Sequence, residues 1–169
     1  MRVLTVLTTG AAVWATAAIG GLATAPAVQS DWYRRLRKPP YQPPRQVFPV
    51  VWPALYADIA VVSASTLDRL RETGDEDARR SYRAALAANL ALNAAWSWLF
   101  FNRRRFASAA VLSAALTASS ADLARRAIAV RGGGGVPLAA YPVWCAFATV
   151  LSGGIAVRNR DGAYRHAVE

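Results

Sequence analysis

Hydrophobic residues in this chain are gathered into long runs, and the charged residues lie mainly between the runs. Residues 3–30, 84–102, 106–121 and 132–157 carry no charged side chain, and residues 46–67 carry only Asp58. A bilayer core of about 30 Å needs roughly 20 apolar residues in a helix, and lipid offers no partner to unpaired backbone groups. The pattern therefore predicts an all-α membrane protein, a bundle of five transmembrane helices at about 3–25, 47–67, 83–102, 106–124 and 136–157.

Two other interpretations of the runs are weaker. A soluble bundle of alanine-rich helices would need a charged stripe along each helix, and these runs have none. Arg2, the apolar run after it and Ala23-Thr24-Ala25 resemble a secretory signal with its cleavage site. That run is longer than a usual signal core, however, and Pro26 directly after the site would hinder cleavage. We interpret residues 1–169 as a single transmembrane domain.

The charge balance is strongly basic, with 20 Lys and Arg against 10 Asp and Glu and a net charge of +10. Arg103–Arg105 follow the third run and Arg125 and Arg126 follow the fourth, as is typical of cations that anchor membrane helices. No zinc-finger spacing or aromatic RNA-binding signature accompanies this charge, so nucleic-acid binding is not expected. The single cysteine, Cys145, and the single histidine, His166, leave no intramolecular disulfide, His-based metal site or catalytic triad to propose.

The segments between the runs set the expected topology. Residues 68–83 mix both signs of charge and are expected to form a solvated connector. Asp122 is expected at the end of the fourth helix, and RGGGGVP at 131–137 is expected to be a flexible turn. Five spans place the two termini on opposite sides, and a small excess of Lys and Arg predicts a cytoplasmic C-terminus.

The most unusual segment is WYRRLRKPPYQPPRQVFPVVWPALY, residues 32–56, which places five cations and six prolines between two apolar runs. Residues that precede proline are restricted to extended backbone, so KPPYQPPR is expected to form a stiff, extended loop between helices 1 and 2. Trp32, Tyr33 and Tyr41 are interleaved with the cations. This composition suits either the lipid headgroup region or the mouth of a cavity that binds an anionic ligand.

Aromatic and amide side chains recur on one face of three predicted helices, at the spacing of about 100° per residue. The candidate residues are Asn89, Asn93, Trp96 and Phe100 on the third helix, Trp52 and Tyr56 on the second, and Tyr141, Trp144, Ala148 and Leu151 on the fifth. One such stripe alone is typical of helix packing. Three stripes together favour a ligand site, in which a flat apolar macrocycle would stack on the indole rings.

Three separated motifs carry a family resemblance. They are WYRRLRKP with PP at 43–44 and VWPALY at 51–56, then LNAAWSWLFF at 92–101, then YPVWCAFATVL at 141–151 followed by Arg158 and Asn159. In this order they resemble the TspO/MBR family of translocator proteins, also called peripheral-type benzodiazepine receptors, in its bacterial type. The resemblance implies a five-helix protein of the bacterial cell membrane that binds protoporphyrin-type tetrapyrroles, and in some members sterol-like or drug-like ligands, beneath the first loop.

The resemblance also implies the site and the activity. The ligand would contact Trp52, Tyr56, Asn93, Trp96, Phe100, Tyr141, Trp144, Ala148 and Leu151 in the helices and Trp32 and Tyr33 in the loop. No catalytic residue, metal or cofactor is expected, and the tetrapyrrole is a ligand in transport, sensing or regulation of porphyrin levels. The alternative is light- and oxygen-dependent degradation of porphyrin in the same pocket, with the porphyrin as its own photosensitiser, because no metal or flavin site is present.

Three further expectations concern partners and single residues. No Tyr precedes Arg158 as the family's C-terminal cholesterol pattern requires, so sterol binding is not expected there. Asp58, inside an apolar run, either serves a ligand or proton or hydrogen-bonds to a neighbouring helix. Small residues opposite the ligand face of the third helix predict a homodimer, with packing inside the chain as the alternative. These residues are Ala84, Ala87, Ala88, Ala91 and Ala95.

Overall fold

The computed structural model describes residues 2–159, whose regular elements are all helices. The helices are α1 (Val3–Gln29), α2 (Asp31–Arg35), α3 (Phe48–Glu72), α4 (Glu76–Ser97) with a π-helical continuation (Trp98–Asn102), α5 (Phe106–Arg131), a 3₁₀ helix (Gly132–Ala139) and α6 (Ala140–Arg158). The expected all-α membrane bundle is thereby confirmed. His166 and the C-terminus, predicted to be cytoplasmic, lie outside the described residues.

Four apolar helical stretches are long enough to cross a membrane: Val3–Gln29, Phe48–Glu72, Glu76–Asn102 and Phe106–Arg158. The last has 53 residues, which would measure about 80 Å if straight, far more than a bilayer core of about 30 Å. It is instead folded back at the 3₁₀ helix, so that α5 packs along α6. The chain is therefore an integral, multi-pass membrane protein.

The outer surface of the bundle is apolar, and several polar side chains are buried. Large apolar side chains lie on the outside, such as Leu22, Trp14 and Val111, each more than 70% exposed. Polar side chains lie inside, including Asn89 and Asn93. A soluble bundle would bury the first set and expose the second. Lipid is the environment that stabilises this arrangement, because an unpaired polar group facing hydrocarbon costs several kcal/mol.

Chain direction gives the bundle two distinct ends. At one end, here called the loop end, lie the end of α1, all of α2, the start of α3, the π-helix and the end of α6. An apolar cluster fills this end, formed by Leu36, Phe100, Ala109, Leu151 and Ile155. At the other end, here called the opposite end, α1 begins, α3 runs into α4 and α5 turns into the 3₁₀ helix. There the backbone N–H of Arg2 donates to the Asp68 carboxylate at 2.5 Å, which fastens the start of α1 to α3.

The proline-rich segment between α2 and α3 contains no helix over residues 36–47. Two turns bend it, closed by the N–H of Gln42 donating to the Pro39 carbonyl at 3.1 Å and by the N–H of Val47 donating to Pro44 at 3.0 Å. The residues just before it behave differently, because Ser30 caps α2 by accepting from the Tyr33 N–H. Turns thus bring this segment back across the loop end.

The prediction of a solvated connector at 68–83 was wrong, because α3 continues to Glu72 and α4 begins at Glu76. Asp75 caps α4 by accepting from the Ala78 N–H at 2.9 Å, and Gly74 supplies the left-handed turn at φ +74°. The mixed charges here support helix, because acidic and basic side chains three residues apart lie on one face and form ion pairs. Arg79 and Glu76 form such a pair at 2.6 Å.

The expected end of the fourth helix and the flexible turn were also wrong. Asp122 lies inside α5, where it pairs with Arg125 and Arg126 at 2.6 Å, and α5 continues to Arg131. The glycine run forms a 3₁₀ helix packed on α5. A Cβ at Gly135 would lie 2.6 Å from the Ala127 backbone. Glycine is therefore used at this position for close approach of two backbones.

Replacing Gly135 with Ala is expected to lower thermal stability, because overpacking a tight contact typically costs about 1–3 kcal/mol. Gly133→Ala is the matched control, since it lies in the same 3₁₀ helix and a Cβ there meets nothing within 4 Å. The measurement is the midpoint of thermal unfolding of both variants in one detergent. Equal midpoints would contradict the close approach to α5.

Candidate functional site

An aromatic cluster joins α3 and α4 below the loop. The Trp52 ring lies 5.6 Å from the Tyr56 ring and 6.3 Å from the Trp96 ring, and Trp96 lies 5.6 Å from Phe100, between centroids. The four-residue spacing of each helical pair places both rings on the same face, as the sequence pattern predicts. Four of the candidate residues are thus in one continuous stack of rings.

A chain of hydrogen bonds lies beneath these rings and connects three helices. The Tyr56 hydroxyl on α3 donates to Asn93 Oδ1 on α4 at 2.8 Å, and Asn93 Nδ2 donates to the Tyr141 hydroxyl on α6 at 2.9 Å. Asn93 is 1% exposed and Tyr141 is fully buried. The amide oxygen and the amide nitrogen of Asn93 therefore each have a tyrosine partner already. Asn93 thus positions the three helices around the site.

The remaining candidates on α6 lie around the edge of the stack. Trp144 packs against Phe48 of α3 at 5.9 Å and against Phe147 of its own helix at 5.4 Å. Leu151 is buried in the apolar cluster of the loop end, and Ala148 is half-buried. Trp144 thus lies on a second side of the site, where it contacts Phe48, the first residue of α3.

Trp32 and Tyr33, which were expected in the loop, lie instead on α2 and pack against aromatic side chains in and after the π-helix. The Trp32 ring stacks on Phe106 at 6.0 Å with only 8° between the planes, and Tyr33 lies 6.2 Å from Phe101. Phe101 in turn meets Trp96 edge to face at 6.2 Å. The loop aromatics are therefore connected to the helical cluster through Phe101 and do not touch Trp96 directly.

Two cations lie over these loop rings. Lys38 Nζ lies 4.1 Å from the Tyr33 centroid, and the Arg104 guanidinium carbon lies 4.6 Å from the Trp32 centroid. Burial lowers the pKa of the Lys38 ammonium and raises the pKa of the Tyr33 hydroxyl. Both cations lie against aromatic faces, where cation–π attraction holds them at the top of the site.

A polar contact to the end of α6 holds the loop in place. Asn159 Oδ1 accepts from the Arg37 N–H at 3.1 Å, and its Nδ2 donates to the Arg37 carbonyl at 2.9 Å. The Tyr41 hydroxyl donates to the Val150 carbonyl at 3.2 Å. A Cβ at Gly154 would overlap this hydroxyl, so glycine makes room for it. One side-chain amide and one tyrosine thus fasten the loop to α6.

Backbone irregularity coincides with the site. Trp98–Asn102 form the π-helix, and π-helical turns occur frequently at functional sites. Arg104 follows with φ 53°, a left-handed conformation that is uncommon for a residue with a side chain. Such strain persists where the surroundings hold it, and here it accompanies the placement of the guanidinium over Trp32.

Three buried polar atoms near the site have no hydrogen-bond partner among the described residues: Trp96 Nε1, Trp144 Nε1 and Gln42 Oε1. An unsatisfied buried donor typically costs about 1–3 kcal/mol. Two such donors, one on α4 and one on α6, are available to hydrogen-bond acceptors. These atoms are the feature of the site that packing alone does not explain.

Five residues of the site were missed by the sequence reasoning: Phe48, Phe101, Phe106, Phe147 and Asn159. The four phenylalanines fall outside the helical stripes, and two of them contact the site only because the π-helix and the Arg104 turn reorient them. Asn159 lies in a motif that carried the resemblance, and its position one residue after α6 is a signal for a capping role. Its contact with the loop requires the folded chain.

The fold and site define a multi-pass membrane protein whose helices converge on an aromatic site at one end of the bundle. A sequence profile described as TspO/MBR family matches residues 7–158. The chain therefore belongs to the TspO/MBR family.

Relatives support this assignment over most of the chain. The chain is 31% identical over 138 residues to a tryptophan-rich sensory protein of Cereibacter sphaeroides, covering 80% of this chain and 83% of that protein. It is 33% identical over 125 residues to the translocator protein of Ovis aries, covering 72% and 70% respectively. The resemblance indicated by the three motifs is thus confirmed.

Replacing Asn159 with Ala is expected to release the loop, because both hydrogen bonds to Arg37 are lost. Loss of two hydrogen bonds of about 1 kcal/mol each should raise the open population, and with it trypsin cleavage after Arg37, about thirtyfold. Val157→Ala, at a site 63% exposed on the same helix, is the control. Cleavage of the Asn159 variant at the wild-type rate would show that the loop is held by other contacts.

Proposed function

We propose that this chain binds a protoporphyrin-type tetrapyrrole between the indole rings of Trp52, Trp96 and Trp144. The observation that carries the proposal is the pair of unpartnered indole N–H groups in the aromatic cluster. A tetrapyrrole offers a flat apolar surface to the rings and carboxylate oxygens as acceptors. The family resemblance supports the same ligand class, with sterol-like or drug-like molecules as further ligands of the pocket.

Charge at the top of the site favours an anionic ligand. Lys38 and Arg104 lie against the loop aromatics, whereas Arg34 is paired with Asp31 away from the cluster. A ligand carboxylate could replace the weak cation–π contact with a charge-assisted hydrogen bond, which is about twice as strong as a neutral one. The macrocycle would then lie between the three indole rings with its acids toward the loop.

Binding requires the rings to separate, because the side chains of the cluster pack against one another in this structure. The loop is held by few polar contacts, at Asn159 and Tyr41, so it is the element that opens at the lowest cost. Ligand binding would therefore be coupled to the position of the loop. That coupling suits a sensor or carrier of porphyrin, and the name of the relative, tryptophan-rich sensory protein, supports a sensory role.

Protoporphyrin is expected to quench tryptophan fluorescence saturably. Changing Trp52, Trp96 and Trp144 together to Phe should remove most of this quenching and weaken binding about tenfold, since aromatic pairs contribute about 0.5–1.5 kcal/mol each and Phe retains part of that. The measurement is a fluorescence titration in detergent.

The control for this titration uses the lipid-facing tryptophans Trp14 and Trp98, which are 74% and 49% exposed. Changing both to Phe should leave the affinity unchanged. Wild-type affinity in the triple variant, or an equal loss in the control, would refute the pocket.

We further propose a homodimer through α4. Ala84, Ala87, Ala88, Ala91 and Ala95 are all exposed, so they do not pack inside the chain. They lie on the face of α4 that turns away from the buried Asn93. Small residues four apart allow two membrane helices to approach closely, and lipid provides little other drive for association. A second copy of α4 is the partner that this surface fits.

The dimer is tested by a single cysteine. Ala91→Cys in a Cys145→Ala background is expected to cross-link on oxidation in membranes, because position 91 lies at the centre of the exposed alanine face. Val111→Cys on α5, at a lipid-facing site 73% exposed, is the control. Cross-linking at position 91 no greater than at 111 would remove this interface.

A further inference from the structure

We propose that the opposite end of the bundle holds a second binding site, which takes the phosphate group of an anionic phospholipid. A cavity of about 90 Å³ lies there between α1, α3 and α4. Its lining consists of Leu4, Thr5, Thr8, Leu67, Arg71, Arg79 and Arg83. This site lies at the end of the bundle away from the aromatic cluster, and nothing in the porphyrin proposal uses it.

Helical spacing explains why three arginines converge. Arg79 and Arg83 are one turn apart on α4, and Arg71 follows Leu67 by one turn on α3. Side chains four residues apart lie on one face of a helix, so the short turn between α3 and α4 directs both faces into the same cleft. The hydrogen bond from Arg2 to Asp68 holds the start of α1 against this cleft.

The protein neutralises only one of the three arginines that line the cavity. Arg79 is paired with Glu76 at 2.6 Å. Arg71 and Arg83 form no ion pair with any residue of the described part of the chain, 2–159. Like charges at a membrane interface repel unless an anion lies between them. Two free guanidinium groups beside one cavity therefore select a negatively charged ligand.

The hydroxyl groups of the lining are engaged within the protein. Thr8 donates its hydroxyl proton to the carbonyls of Leu4 and Thr5 within its own helix. The Thr5 side chain hydrogen-bonds to the Asp68 carboxylate. Arg71 on α3 and Arg83 on α4 therefore provide the hydrogen-bond donors of the cavity, and guanidinium groups are well suited to phosphate oxygens.

The size of the cavity decides between ligand classes. A cavity must measure about 10–15 Å³ to hold a single water, and pockets for drug-sized molecules measure about 300–1,000 Å³. A cavity of about 90 Å³ therefore fits a group of a few heavy atoms such as phosphate.

The surroundings indicate that the phosphate is carried by a lipid. Val3, Leu4 and Leu7 of α1 are 63–74% exposed directly beside the cavity. Basic pockets between membrane helices near the interface are typical sites for anionic headgroups. The exposed α1 side chains would contact the acyl chains while the arginines hold the headgroup.

A larger cavity nearby, lined by Asp68 and Glu72 as well as Arg69 and Arg131, carries both signs of charge and therefore does not select an anion.

The test compares lipid retention by native mass spectrometry. Wild-type protein from nanodiscs of equal phosphatidylglycerol and phosphatidylcholine is expected to retain phosphatidylglycerol preferentially. The Arg71→Gln, Arg83→Gln variant should lose about 25-fold of that preference, since each of the two basic residues near an anionic surface changes binding about fivefold. The matched control is Arg80→Gln with Arg125→Gln, which removes the same charge from arginines paired with Asp77 and Asp122.

Three outcomes decide the proposal. Loss of preference in the cavity variant but not in the control supports the site. Equal preference in both variants overturns it, and so does displacement of the retained phosphatidylglycerol by millimolar inorganic phosphate, which would assign the site to a soluble anion. If the double variant does not fold by circular dichroism, the single variants Arg71→Gln and Arg83→Gln are compared with Arg80→Gln alone.

Discussion

The hydrogen-bond chain from Tyr56 through Asn93 to Tyr141 is the interaction on which the rest of the structure depends. In lipid, an amide such as Asn93 must find partners inside the protein, and here each partner comes from a different helix. This requirement fixes the rotation of α3, α4 and α6 about their axes. Because Trp52 lies one turn from Tyr56 and Trp96 three residues from Asn93, the same constraint brings these two indoles to 6.3 Å between centroids. Trp144, three residues from Tyr141, packs on Phe48 at the start of α3. The buried hydrogen bonds thus determine where the indole rings lie.

Above this fixed framework the loop is held differently. Its polar contacts with α6 are few and exposed, through Asn159 and Tyr41, and Leu36 joins it to the apolar cluster that contains Leu151 and Ile155. Arg104 carries backbone strain beside it. Such an element opens at low cost while the helices below stay in place. The proposed ligand would exploit this difference, because the loop can move without disturbing the Asn93 hydrogen bonds. The opposite end has no corresponding cover, and its arginines face the lipid interface directly.

Sequence predicted the features that repeat along a helix and missed those that depend on the folded chain. Charge-free runs identified the membrane helices, and periodicity placed Trp52, Tyr56, Trp96 and Phe100 on faces that do meet. Mixed charge at 68–83 was misleading because helical ion pairs tolerate both signs, and the glycine run was misleading because Gly135 serves a backbone contact with α5. The phenylalanines of the site and Asn159 could not be found by spacing, since a π-helix and a long-range contact place them.

A structure of the protein with bound protoporphyrin is the decisive measurement. The macrocycle is expected between Trp52, Trp96 and Trp144, with the indole N–H groups of Trp96 and Trp144 paired to ligand acceptors and the carboxylates near Lys38 and Arg104. The Tyr56–Asn93–Tyr141 hydrogen bonds should remain in place while the loop shifts. A porphyrin bound on the lipid-facing surface, with the aromatic cluster unchanged and its indole N–H groups still unpartnered, would contradict the account.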